Sequence, residues 1–139
     1  MSFDLMVFEA SAAPSECAAF VRWYEARTEW SELPNYADPK VASPALLGWY
    51  HSMRVTYPAM NGPDATDDYD NDRVTGYSIG TNFIYADFRW SRAEEAYDAS
   101  LKWARHHRLG FYDVSQSGDV WLPVDGGDYR VLRCGNTSG

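Results

Sequence analysis

The sequence predicts an α+β domain: a mainly antiparallel sheet of four or five strands with helices on one of its faces. Three observations predict it. Stretches rich in β-branched and aromatic residues, 2–9, 73–90 and 110–134, are separated by stretches with helical periodicity. The second and third β-rich stretches are interrupted by turn residues that fold them into hairpins, which makes neighbouring strands antiparallel. The 139 residues, 45% hydrophobic and 16% aromatic, supply one core and far more apolar surface than a disordered chain carries.

In SFDLMVFE, residues 2–9, Phe3, Leu5 and Val7 alternate with Asp4, Met6 and Phe8. Apolar character on both sides predicts a buried opening strand. Pro14 suits a first helical turn, and Cys17, Phe20, Val21 and Tyr24 recur at spacings of three and four, so a helix is expected over 14–31. Residues 32–42, with two prolines, form a loop. Ser43-Pro44 is an N-cap followed by an N1 proline; Leu46, Leu47, Tyr50 and Met53 continue the pattern to Pro58, which predicts a helix over 44–57. The acidic, turn-rich segment 58–72 is a loop.

Strands are expected near 74–79 and 83–89, around the turn Gly80-Thr81-Asn82. Ser91 and Glu94 make a capping box for a helix over 92–108, with Ala93, Ala96, Tyr97, Leu101 and Ala104 facing the core and Gly110 as its C-terminal stop. A second hairpin turns at Gln116–Asp119, and 128–134 adds an edge strand. This order is close to a split βαβ, ferredoxin-like plan. One domain over 1–134 and a flexible tail over 135–139 are expected, with no internal repeat.

Twenty Asp and Glu oppose twelve Lys and Arg, a net charge of −8. Affinity for a phosphate backbone comes from cations displacing counterions, so the sign argues against a nucleic-acid partner. The surplus is local: residues 1–72 hold twelve acids and four bases, and 73–139 hold eight of each. Five aspartates fall within 64–72. Such asymmetry points to a basic partner or a cation, with simple solubility as the competing explanation. The two cysteines, Cys17 and Cys134, lie at opposite ends of the chain. Small secreted scaffolds carry more, so reduced thiols and a cytoplasmic location are expected. The first residues lack the basic region of a signal peptide, and no run approaches the ~18 apolar residues that span a bilayer.

Motifs exclude more chemistry than they support. Asp68-Tyr69-Asp70-Asn71-Asp72 begins like a calcium loop, but Arg73 and Ile79 stand where an EF-hand needs Gly and Glu. Asp70 to Val74 has the D-x-D-x-V spacing of aspartate-nucleophile phosphatases without the hydrophobic strand that would present it. His106 and His107 are adjacent and point about 100° apart, so they do not chelate one ion together. His51, on the second helix, could assist acid–base chemistry but has no carboxylate at a defined spacing. Cys17 sits on an apolar stripe. Nucleotide, nucleophile-elbow and zinc-protease signatures are absent, and neither a cofactor nor a metal is expected.

Six Trp and ten Tyr exceed what one small core easily buries, because each has a polar atom to satisfy. Trp30 beside Glu29 and Glu32, Tyr36 in the loop after them, and Tyr69 within the Asp run place rings among carboxylates. That composition suits an interface with a basic partner. The candidate partner-binding residues are Glu29, Trp30, Glu32, Tyr36, Asp64, Asp67, Asp68, Tyr69, Asp70 and Asp72.

The opening Ser2–Glu9, with Trp23-Tyr24, Thr28-Glu29-Trp30, Asp38-Pro39, Ser43-Pro44-Ala45-Leu46, Met60-Asn61-Gly62-Pro63 and Tyr77-Ser78-Ile79-Gly80, resembles a family of short acidic bacterial proteins over residues 2–122. Its members look like immunity proteins encoded beside polymorphic or contact-delivered toxins. The resemblance implies a cytoplasmic, non-enzymatic inhibitor of a toxin domain with a basic cleft, and implies no catalytic residues. The alternatives are a small enzyme with a carboxylate or His51-assisted site, and a small-molecule or cation-binding module.

Overall fold

The computed structural model describes residues 2–27, 39–60, 62–68, 70–124 and 127–134. In chain order the elements are β1 (Ser2–Phe8), α1 (Cys17–Arg27), α2 (Pro44–Arg54), β2 (Gly76–Ile79), β3 (Phe83–Arg89), α3 (Ala93–His106), β4 (Gly110–Tyr112), β5 (Asp119–Pro123) and β6 (Tyr129–Arg133). The tail expected over 135–139 lies outside the described residues. No helix among the described residues is long and apolar enough to cross a membrane.

The fold is α+β, with one open sheet ordered β2-β3-β1-β4-β5-β6 and every neighbouring pair antiparallel. β1 lies inside the sheet, paired along its length with β3 from Ser2↔Arg89 to Phe8↔Phe83, and with β4 on its other edge. Both β1 and β2 pair with β3, so β3 lies between two parallel strands, as a split βαβ order requires. The sheet has six strands rather than four or five. Both hairpins join it because β1 has two edges to offer, and β6 extends it beyond β5.

The helices do not share one face, contrary to the expectation from sequence. Alternate residues of a strand point to opposite sides, and β1 is apolar on both. Phe3, Leu5 and Val7 enter a core with Leu46, Trp49, Tyr50 and Met53 of α2 and Ala96 and Ala104 of α3. Met6 and Phe8 enter a second core with Phe20, Trp23 and Tyr24 of α1 and Val120, Leu122 and Leu132 of the last hairpin. A strand that hides apolar side chains in both directions needs cover on both.

Two cores also accommodate the aromatics, and four of the rings in the larger one have partners for their polar atoms. Trp49, Tyr50, Tyr57 and Tyr77 are at most 1% exposed. The Trp49 indole N–H donates to the Ser100 carbonyl at 3.1 Å, and the Tyr77 hydroxyl to the Tyr57 carbonyl at 2.7 Å. Tyr50 and Tyr57 donate to Asp64 at 2.9 Å and Glu95 at 2.6 Å.

Ser43 caps α2 as its sequence predicts, accepting from the Leu46 N–H, with Pro44 at the first position. α3 starts differently: a 3-10 turn, Trp90–Arg92, precedes it, and the Ser91–Glu94 capping box does not form. Gly110 is not the stop of α3. Arg108 takes the left-handed conformation there, φ 58°, and the Leu109 N–H closes the end on the Ala104 carbonyl. Gly110 belongs to β4, where a Cβ would lie 2.3 Å from the Phe8 ring. The last hairpin turns over 113–118, earlier than expected, because buried Asp113 accepts from the N–H groups of Gln116 and Ser117.

Cys17 and Cys134 form a disulfide, correcting the expectation of reduced thiols: their Cα atoms are 5.4 Å apart, across 117 positions of sequence. The antiparallel order carries the end of β6 back to the start of α1, a proximity that sequence spacing does not reveal. The bridge fastens α1 to the sheet.

Candidate functional site

The Asp-rich segment divides by what its members touch. Asp64 accepts the Tyr50 hydroxyl and lies 3.6 Å from the Arg54 guanidinium. At the other end Asp72 accepts from Arg92 at 2.8 and 3.0 Å, which holds its carboxyl below the usual range. Arg73 grips Glu95 with two bonds, 2.7 and 2.9 Å. The Arg73 bonds and the Tyr57 hydroxyl hold Glu95 down to about 2. These contacts dock both ends of the segment on α2 and α3. A chain of like charges is therefore not simply self-repelling; Arg54 and Arg92 on neighbouring elements hold its two ends.

Between those ends Asp67, Asp68 and Asp70 are exposed and make no ion pair among the described residues. Of the residues expected to bind a partner, the structure thus leaves these three available and commits Asp64 and Asp72 to the fold. Glu29, Trp30, Glu32, Tyr36 and Tyr69 lie outside the described residues.

A groove of about 480 Å³ is lined by Trp90, Ser91, Ala93, Glu94, Tyr97 and Gln116. Trp90 is 46% exposed. Its ring meets Phe3 edge-on at 6.2 Å, and Phe3 also contacts Tyr97, itself set against Phe111. The groove wall is therefore seated on the inner strand of the sheet. Arg92, between Trp90 and Glu94 in sequence, turns its guanidinium to Asp72 and ties the groove to the acidic segment. From sequence, Trp90 only closes the β-rich stretch 73–90, just past the strand expected over 83–89, while Glu94 belongs to a capping box and Tyr97 to the core. A Trp immediately before a helix start was the available signal, and it does not distinguish a buried ring from a displayed one.

The other titratable groups form no comparable site. Asp4 and Asp87 stand opposite each other on β1 and β3. Burial first, and the Asp4 charge second, push the Asp87 carboxyl up to about 6. Tyr85 donates to Asp4, and the Gly76 N–H donates to Asp87 at 3.0 Å. The cavity touching Asp87 is only about 100 Å³, below the few hundred that small-molecule sites usually enclose. His51 lies against Arg54, 3.3 Å away, rather than a carboxylate. Ser52 Oγ approaches His107 Nε2 at 3.4 Å, and burial lowers the affinity of that imidazole for a proton. No acid stands behind it to complete a nucleophilic triad among the contacts of the described residues. No group of three or more His, Cys, Asp or Glu among the described residues could hold a metal ion. No family model, curated protein or solved structure matches the chain.

Proposed function

We propose that this protein is an immunity-type inhibitor that binds a cognate bacterial toxin or effector domain, with its acidic segment and the neighbouring groove forming the contact surface. One observation carries the reading: three exposed carboxylates without ion pairs among the described residues, Asp67, Asp68 and Asp70, belong to a segment whose Asp72 is bonded to Arg92, next in sequence to the groove residues Ser91 and Ala93. Unpaired like charges steer a basic partner, and a seated aromatic ring supplies the buried contact that holds it. The resemblance of residues 2–122 to short acidic immunity-like proteins points the same way.

The test is co-expression with the adjacent gene. Rescue of growth and a purified complex are expected. Neutralising Asp67, Asp68 and Asp70 to Asn together should slow association about tenfold at low salt while leaving dissociation nearly unchanged. Neither rescue nor complex would end the proposal. A cytoplasmic location belongs to the same proposal, and the disulfide weighs against it, because such bridges persist in oxidising compartments. Alkylation of the protein as it leaves the cell decides: two modified thiols place it in a reducing compartment, none in an oxidising one.

A further inference from the structure

We infer that the groove between Trp90, Glu94 and Tyr97 seats an arginine side chain of the basic partner; this rests on the binding reading above and names its anchor. The groove's volume, about 480 Å³, falls within the range of ligand sites. Its lining includes a carboxylate, Glu94, exposed in the first turn of α3, and no cation. Two bases adjoin the lining in sequence without belonging to it: Arg89, exposed at the end of β3, and Arg92, which is engaged by Asp72 and lies 3.8 Å from Glu95.

Carboxylates outnumber cations around the Tyr97 phenol. The Tyr97 phenol is pushed above its ordinary value by burial first and then by Asp113, Asp119 and Asp98, with Arg133 opposing. Its hydroxyl makes no hydrogen bond among the described residues, and Gln116 lines the same groove. An indole face is the strongest aromatic partner for a cation, and this ring is steadied by its T-shaped contact with Phe3. Arginine suits the set better than lysine. A planar guanidinium stacks on a ring and still directs N–H groups to a carboxylate, whereas an ammonium is compact and strongly hydrated.

The experiment uses the full chain at low salt, titrated calorimetrically with three acetylated, amidated tripeptides in which arginine, lysine or citrulline stands between two glycines. The arginine peptide should bind; citrulline, isosteric but neutral, should bind about tenfold more weakly or not at all, and lysine severalfold more weakly. Trp90→Ala and Glu94→Gln should each weaken the arginine peptide about tenfold. Glu94→Gln changes only an exposed side chain, so it keeps the test informative if Trp90→Ala fails to fold. The Asp67, Asp68 and Asp70 triple Asn variant should keep arginine-peptide affinity within about twofold, because those residues do not line the groove. Equal binding of arginine and citrulline, or of arginine and lysine, or full affinity in Glu94→Gln, would overturn the inference. If the peptides behave as expected but the adjacent gene product forms no complex, the functional reading fails while the cation site stands. If that complex forms and Glu94→Gln leaves peptide affinity unchanged, the anchor alone fails.

Discussion

The two faces of the sheet are held by different means. On one, α2 and α3, eleven and fourteen residues long, close over Phe3, Leu5 and Val7, with the polar atoms of Trp49, Tyr50, Tyr57 and Tyr77 tied to backbone or carboxylate. On the other, among the described residues, the eleven-residue α1 packs Phe20 and Trp23 on Phe8, while Tyr24, Tyr85 and Tyr112 stay half-buried beside the Asp4–Asp87 pair. A face with two helices is secured by area removed from water; a face with one short helix adds a covalent link. The acidic segment and the Trp90 groove attach to the first face, through Asp64, Asp72 and the Phe3–Trp90 contact. The surface proposed to meet a partner is thus attached to the core opposite the one that the disulfide adjoins.

The sharpest way to break this contrast is Trp49→Ala. It opens a cavity in the first core and removes the indole donor to the Ser100 carbonyl, which should cost about 4 kcal/mol and lower the midpoint of a single cooperative urea transition of the whole domain. Cys17→Ser comes next, with an expected cost of about 3 kcal/mol from freeing a closure of 117 positions. Hydrogen exchange should then rise in α1 while α2 and α3 stay protected; uniform loss of protection would erase the distinction between the faces.

A smaller effect concerns charge. The Asp87 carboxyl, raised to about 6, favours the protonated folded state, so its stabilising contribution is complete below about pH 4 and is lost as pH rises through 6. Asp87→Asn keeps an acceptor for the Gly76 N–H. It should stabilise by about 1 kcal/mol above pH 6, a value reduced for the group's partial solvent exposure, with the gap to wild type closing by pH 4 in thermal melts. The smallest effect is Arg108→Gly. Relief of the left-handed backbone, φ 58°, should outweigh the lost guanidinium bond to the Val124 carbonyl and raise the urea midpoint by about 0.5 kcal/mol in equivalent stability. A fall instead would show that the tether to Val124 matters more than the strain.

Much of this architecture was legible in local pattern. Alternation marked β1 as buried on both sides, Ser43-Pro44 marked the start of α2, and Gly80-Thr81-Asn82 marked the β2–β3 turn, because each signal acts within a few residues. Signals of the same kind misled at α3. Ser91–Glu94 and Gly110 have the right chemistry for caps, but Trp90 seats its ring on Phe3 and draws the chain into a 3-10 turn, while Gly110 is required under the Phe8 ring. Tertiary contact outweighed the local preference in both places. The site was half legible: the cluster of aspartates is visible in one dimension, but which of them remain free depends on where Arg54 and Arg92 come to rest.

By itself the sequence determined the α+β class, the antiparallel hairpins, the need to bury both sides of the first strand, and an acidic surplus confined to residues 1–72. Those properties follow from composition and from periods of two and 3.6 residues, which every segment carries whatever its neighbours do. The tertiary structure alone decided that helices cover both faces, that Cys17 meets Cys134, that Asp64 and Asp72 serve the fold while Asp67, Asp68 and Asp70 face solvent, and that Trp90 is displayed. Each of these depends on groups distant in the chain sharing a few ångströms of space, and that proximity comes from the order of strands in the sheet.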